Sequence, residues 1–308
     1  MRFCLTQFLV GTGGWSYFNT GERSPLKTYS KLFNFVEVNS TFYDYPSDEL
    51  VKRWRLTVPK SFVFAVRCHQ DLTHRLRLGP SDEAYGILGK MLTICRILEA
   101  PFLVLETPRS YSLTKERVDS ARSLLSSAGK LDVRLVWEIR ASLTPQVISL
   151  MQDLNIVHAV DLSQEEPAFT SDVMYSRLFG KGINNAYQFT DEELVEIDDK
   201  ISERQPKIAA LSYHGMRMNT DAARFWLYKQ KGTFMQASPY TGAESIRAVL
   251  SEDTRFPTSK ERLIQEQGWK VVDLTKDKRV HLSELLIRIP EKTYFDLKDL
   301  ARAMEDNN

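Results

Sequence analysis

Cysteine is scarce in this 308-residue chain: Cys4, Cys68 and Cys95 are widely spaced and form no Cys-x-x-Cys grouping. That excludes a zinc knuckle and a disulfide framework. It fits reduced thiols in a cytoplasmic protein, with Cys68 and Cys95 as core residues. Histidine is also scarce, five in all, with neither HxH nor HExxH spacing, so a multinuclear metal site has few ligands to draw on. No GxGxxG or GxxxxGK[ST] motif is present, which counts against a dinucleotide fold and a P-loop. Neither sign of charge is in excess, with 41 Lys and Arg against 40 Asp and Glu; any basic surface for nucleic acid must be local. The apolar start, from Phe3 to Val10, is short and is interrupted by Thr6 and Gln7, too little for a signal peptide or a membrane span. The expectation is a cytoplasmic protein with no membrane partner.

What the chain does have is a series of short β-rich runs, most of them followed by helix-like segments, the pattern of parallel βα units. Eight runs fit, at 7–11, 35–39, 62–68, 102–106, 133–138, 157–161, 173–178 and 208–213. Helices are predicted over 81–99, 114–128, 145–154, 190–204 and 220–229, several opened by a capping Ser, Thr or Pro. Eight units favour a closed α/β barrel of the TIM type over an open sheet. The predicted organisation is a barrel over 1–229, a linker with Gly232, Pro239 and Gly242 over 230–242, and a small α/β appendage over 243–308. In the appendage, 259–267 reads as a helix, 269–274 as a strand, and 282–287 and 295–304 as helices. Its many apolar residues should dock on the barrel or on a protein partner.

One run stands out: Phe35-Val36-Glu37-Val38-Asn39-Ser40-Thr41-Phe42-Tyr43 is apolar enough to be buried, yet it carries a carboxylate and an amide. Alternation puts Glu37, Asn39 and Thr41 on one side, where each needs a partner. Upstream, Val10-Gly11-Thr12-Gly13-Gly14-Trp15-Ser16-Tyr17 runs from a strand into glycines and two aromatics. The glycines suit a sharp strand exit at least as well as a phosphate cradle. GTGGWSY and VEVNSTFY, with Pro46, Val51, Trp54 and the segment FVFAVRCHQDLTH at 62–74, resemble the YecE-like family, domain of unknown function 72. The resemblance continues through Trp137-Glu138-Ile139-Arg140 and Tyr175-Ser176-Arg177-Leu178 and covers about 8–228; the C-terminal segment is not recognised. It implies a TIM-type barrel and an activity that is not settled. Against the family pattern, Gly13 stands where Ser is usual, Arg67 where Lys is usual and Leu143 where Trp often follows. Phe179 stands in a segment that usually reads Arg-Leu-His-Gly, and 211–215 stands where a Phe-Asn-Asn type sequence is common.

In a TIM barrel the site forms at the C-terminal strand ends. The residues closing the runs are polar and of both signs: Glu37, Asn39, Arg67, His69, Glu106, Glu138, Arg140, Asp161, Arg177, Tyr213 and His214. Trp15, Tyr17, Tyr43 and His74 lie on adjoining loops. The candidate catalytic residues are Glu37, Glu138 and Asp161. The candidate substrate-binding residues are Trp15, Tyr17, Asn39, Tyr43, Arg67, His74, Arg140, Arg177 and His214. Three chemistries fit the ring: carboxylates and histidines holding a divalent metal for phosphodiester hydrolysis, two carboxylates acting as acid and base on a glycosidic bond, or a non-catalytic anion receptor led by Arg67, Arg140 and Arg177. The three arginines place first a hydrolase or binding protein for phosphate-bearing substrates, nucleic acid included. Arg53, Arg55, Arg75 and Arg77 around Trp54 and His74 would be the nucleic-acid contacts. A carbohydrate-active enzyme comes next, then an interaction protein working through the appendage.

Overall fold

The computed structural model describes residues 5–16, 18, 24–130 and 132–305. Packing divides the chain into two compact units, one holding residues up to Leu178 together with 200–213, the other holding 179–199 and everything from His214 on.

The first unit is built on eight parallel strands: β1 (Gln7–Thr12), β2 (Phe35–Val38), β3 (Val63–Arg67), β4 (Phe102–Thr107), β5 (Arg134–Ile139), β6 (Val157–Ala159), β7 (Val173–Leu178) and β8 (Ile208–Tyr213). Strands β1 to β6 pair in sequence order, β7 pairs with β8, and β8 pairs with β1. The ring closes between β6 and β7 through one parallel bridge, Val160 to Ser176, where the Arg177 amide donates to the Val160 carbonyl at 3.0 Å. This is the expected TIM-type barrel. Helices α1 (Pro25–Leu32), α2 (Asp48–Thr57), α3 (Asp82–Leu98), α4 (Lys115–Leu125) and α5 (Pro145–Asp153) fill the first five connections. The Ser81, Thr114 and Thr144 side chains accept from the amides of Ala84, Arg117 and Val147, capping α3, α4 and α5. β6 and β7 are joined by a loop instead of a helix.

Alternation along the strands turns an apolar layer into a charged one. Phe35, Ala65, Phe102, Val104, Val136, Val173 and Tyr175 belong to one buried cluster with Leu9, Val157, Ala159 and Ala210. Counting on by two from that layer reaches Glu37, Arg67, Glu106, Glu138 and Arg177, so the same face carries the ring of charges at the strand ends.

Strand β2 stops at Val38, one residue earlier than its composition predicts. Asn39 opens a single 3₁₀ turn, Ser40–Phe42, instead of ending the strand. Thr41 is therefore not in register with Glu37; its hydroxyl sits 2.7 Å from the Val38 carbonyl and 2.6 Å from that of Arg67 and ties the two strand ends together.

In the second unit lie the start of α6 (Asp191–Arg204), α7 (Met218–Lys231) and the C-terminal elements α8 (Ala243–Ser251), β9 (Thr258–Ser259), α9 (Lys260–Gln267), β10 (Val271–Asp273), β11 (Arg279–His281), α10 (Leu282–Leu286), β12 (Thr293–Tyr294) and α11 (Leu297–Glu305). These compact units do not follow the divisions at 229 and 242. The Gln188 side chain accepts from the Val271 amide at 2.9 Å, and Asp191 pairs with both Arg224 and Arg279. Such buried pairs hold 179–199, α7 and the C-terminal elements in one body. Among the described residues no helix is long and apolar enough to cross a membrane.

Candidate functional site

Arg177, on β7, is the hub of the strand-end cluster. Its guanidinium reaches three carboxylates: Glu37 on β2 at 3.1 Å, Glu106 on β4 at 2.7 Å, and Glu138 on β5. Glu37 also accepts from the Tyr175 hydroxyl at 2.8 Å. The side chains of Glu37 and Arg177 are 0% and 1% exposed, so this pair forms a closed floor. Burial works against the charge on Arg177, and the carboxylates of Glu138, Glu37 and Glu106 overcome it, holding its pKa well above the ordinary value. Burial, then Glu37, keeps Tyr175 a neutral donor.

Above the floor, Glu106 and Glu138 face each other as register partners on adjacent strands. Two carboxylates so placed repel unless cations lie between them. Arg177 bridges them from below; Arg140 bridges them from the other side, 2.8 Å from Glu138 and 3.3 Å from Glu106. Burial alone would raise the Glu138 pKa, and the two guanidiniums instead hold it below the usual carboxylate range. Arg67 completes the set: it pairs with Glu106, lies 3.4 Å from the Asn39 side-chain oxygen, and stacks over the Phe42 ring at 3.7 Å. Its pKa is lowered by burial and then by Arg177. The Asn39 amide donates to the Gly13 carbonyl at 2.9 Å. The glycine segment therefore supports Asn39, and Gly11 serves close packing, since a Cβ there would stand 1.8 Å from the Phe35 carbonyl oxygen.

Three carboxylates thus balance three guanidiniums. Exposure rises from the floor upward: the Glu138 side chain is 12% exposed and that of Arg140 38%. His74 lies near this rim, edge-on to Phe42 at 5.2 Å. Burial lowers its pKa; Glu106 opposes that, and Arg67 and Arg140 add to it. His74 is neutral at pH 7 and its Nδ1 pairs with the Thr73 hydroxyl at 2.9 Å.

The other candidates divide. Tyr43 is exposed and Trp15 is half-buried against Trp54, 5.2 Å between ring centroids. His69 accepts from the Asp71 amide and stacks on Tyr45 at 4.0 Å. Asp161 organises a turn: its carboxylate accepts from the Ser163 amide and hydroxyl and from Gln164 at 2.6–3.0 Å. That turn carries Glu165, whose pKa is raised by burial, then by Asp161 and Glu138. His214 belongs to the second unit, where it stacks on Phe179 at 4.8 Å. Tyr17 lies outside the described residues. Two participants are missing from the catalytic and binding candidates, although Glu106 stands among the residues closing the runs. Glu106 has one available signal, its place opposite Glu138. For Tyr175 the signal is its position two residues before Arg177 on one strand face.

The cations around Trp54 and His74 are largely engaged. Arg55 donates to the carbonyls of Phe62 and Pro59, Arg75 is bound between Asp71 and Glu83, and Arg77 reaches the Ser110 carbonyl. Among the described residues, no group of three His, Cys, Asp or Glu is arranged to hold a metal ion. The donor set explains why, since the inward carboxylate oxygens already accept from guanidiniums.

Fold and site together describe an α/β barrel protein with a charge-balanced polar cluster at its strand ends. The profile of the family described as "protein of unknown function DUF72" matches residues 9–228, and the chain belongs to that family. No curated protein matches the chain. Among solved structures it is similar to a DUF72 family protein of Enterococcus faecalis V583, at 18% identity, a TM-score of 0.59, and coverage of 73% of this chain and 94% of that one. It is equally similar to a DUF72 family protein of Thermotoga maritima MSB8, at 18% identity and a TM-score of 0.59, covering 73% of this chain and all of that one. At this identity the likeness is one of fold.

Proposed function

We propose that the strand-end cluster takes a small phosphate-bearing ligand, as a binding protein or a hydrolase, with Arg140 as the first contact. The observation that carries this reading is the contrast among the three arginines: Arg177 is fully engaged and buried, whereas Arg140 is partly exposed and already held by Glu106 and Glu138. A guanidinium fixed in this way loses little freedom on meeting an anion. His74 is neutral beside it, so an incoming anion favours its protonation and the ligand brings a proton with it. Glu138, kept ionised, is the carboxylate nearest solvent for accepting a proton from water or a hydroxyl. Engagement of Arg55 and Arg75 favours a small ligand over a nucleic-acid chain.

A second reading has its own observation. Glu138 is held ionised while Glu165 is pushed toward its protonated form, and the exposed ring of Tyr43 is available to a sugar face, the features of a carboxylate pair acting on a glycosidic bond. One calorimetric series separates the two. Inorganic phosphate, ribose 5-phosphate and ribose are titrated into the wild type and Arg140→Ala. The phosphate reading expects binding of the two phosphate compounds, at least tenfold weaker in the variant, and none of ribose. Equal binding of ribose and its phosphate transfers the site to carbohydrate, and no binding of either phosphate compound ends the proposal.

A further inference from the structure

Independent of the strand-end cluster and its function, the C-terminal segment holds a partly open, mainly apolar pocket of about 100 Å3 between α8 and α11. Helical spacing builds both walls. Ala243, Ile246 and Leu250 share one face of α8, and Leu297, Ala301 and Met304 share one face of α11. The space exists because small residues stand on both sides: Ala243 on one helix, Ala301 on the other. Around it the packing is dense, with Leu250, Leu263, Leu286 and Leu300 nearly or wholly buried, so the void is local. Its aliphatic walls offer water few hydrogen bonds. One charged group lines it: Arg247, on α8 beside Ile246, whose side chain is half exposed and, among the described residues, pairs with the neighbouring Glu244, at 3.1 Å. An exposed pair of this kind is weak and readily exchanged for another carboxylate.

We propose that this cavity binds a short-chain aliphatic carboxylate, its tail between α8 and α11 and its carboxylate on Arg247. Size sets the tail. An apolar cavity of ~150 Å3 accepts benzene, so one of about 100 Å3 takes an alkyl group of about four carbons. The charge at the opening sets the head: Arg247 forms a two-pronged hydrogen bond with a carboxylate and none of comparable strength with an alcohol.

The test uses the full-length protein with pentanoate and pentan-1-ol as probes, read by methyl NMR of Met304 and Ile246 and by calorimetry. Pentanoate is expected to shift both methyls and to bind at least tenfold more tightly than pentan-1-ol. Arg247→Gln, a change on the exposed surface, should remove that preference, and Ala301→Leu should remove binding of both probes by filling the space. Absence of methyl shifts with either probe at millimolar concentration overturns the proposal. So does an equal affinity for acid and alcohol that Arg247→Gln leaves unchanged. Should Ala301→Leu fail to fold, the Arg247→Gln comparison still decides.

Discussion

The Tyr175 hydroxyl donates to Glu37 at 2.8 Å, beneath an Arg177 that is itself 1% exposed. That contact makes Glu37 the base on which the cluster rests. Glu37 orients Arg177, Arg177 spaces Glu106 and Glu138, and those two hold Arg140 at the rim. Its effect on a ligand is therefore indirect.

Stability should follow that order. Glu37→Gln leaves the buried Arg177 short of one counter-charge and is expected to lower stability by about 3 kcal/mol or more. Tyr175→Phe removes one hydrogen bond to a charged acceptor and should cost about 1.5–3 kcal/mol. Denaturant unfolding measures both. A Glu37→Gln protein as stable as wild type would show that the floor carries no structural role.

Much of this was legible in the sequence. β-branched and aromatic runs mark all eight strands because a closed parallel barrel buries both strand faces. Glu37 is conspicuous because a carboxylate in such a run must be paired. Other features were hidden. Asp161 at a strand end reads as a site residue, but only the three-dimensional turn shows its oxygens on Ser163 and Gln164. Arg55 beside Trp54 reads as a surface cation, yet it donates to the nearby Phe62 carbonyl and to that of Leu98, 43 positions away. Tyr175 is marked by nothing but its place two residues before Arg177, since an aromatic residue on a strand otherwise reads as core. Charge partners separated by 140 positions, such as Glu37 and Arg177, follow from barrel closure and not from local pattern.

Gly11 permits no side chain. A Cβ would fall 1.8 Å from the Phe35 carbonyl oxygen and 2.7 Å from the Tyr29 hydroxyl, which itself accepts from the Thr12 amide at 2.8 Å. Gly11→Ala should separate β1 from β2 and destabilise by more than about 3 kcal/mol. Gly14, where a Cβ meets nothing but φ is +109°, should cost only about 1–2 kcal/mol on substitution by Ala. Thermal unfolding of the two variants side by side checks the ranking.

Truncation after Gly242 should be severe. It removes Arg279 from Asp191 and the Val271 amide and His281 from Gln188, leaving polar groups of the second unit without their partners. The shortened protein is expected to aggregate or to lose cooperative unfolding. Asp191→Asn in the full chain, which deprives both Arg224 and Arg279 of a carboxylate, should cost about 3–5 kcal/mol. A truncated protein with wild-type melting would mean that these pairs contribute nothing.

Two buried groups should give pH dependences of opposite sign. His158 is buried and its pKa is depressed from 6.5 to about 4 by burial. Between those values the unfolded chain binds a proton that the native protein refuses, so stability rises with pH across the window and is lost as pH falls through it. His158→Asn keeps an acceptor for the Ala168 amide, which donates to Nδ1 at 3.1 Å. Relative to this variant, wild type should gain about 3 kcal/mol from pH 4 to 7. Asp221 runs the other way. Burial outweighs Arg224 and raises its pKa from 3.8 to about 7. Here the native protein holds the proton that the unfolded chain releases, so stability relative to Asp221→Asn is greatest near pH 4 and falls as pH approaches 7. Denaturant melts of wild type and both variants at half-unit steps from pH 4 to 8 measure the two difference curves. Slopes of the same sign would show that one of these groups is hydrated in solution.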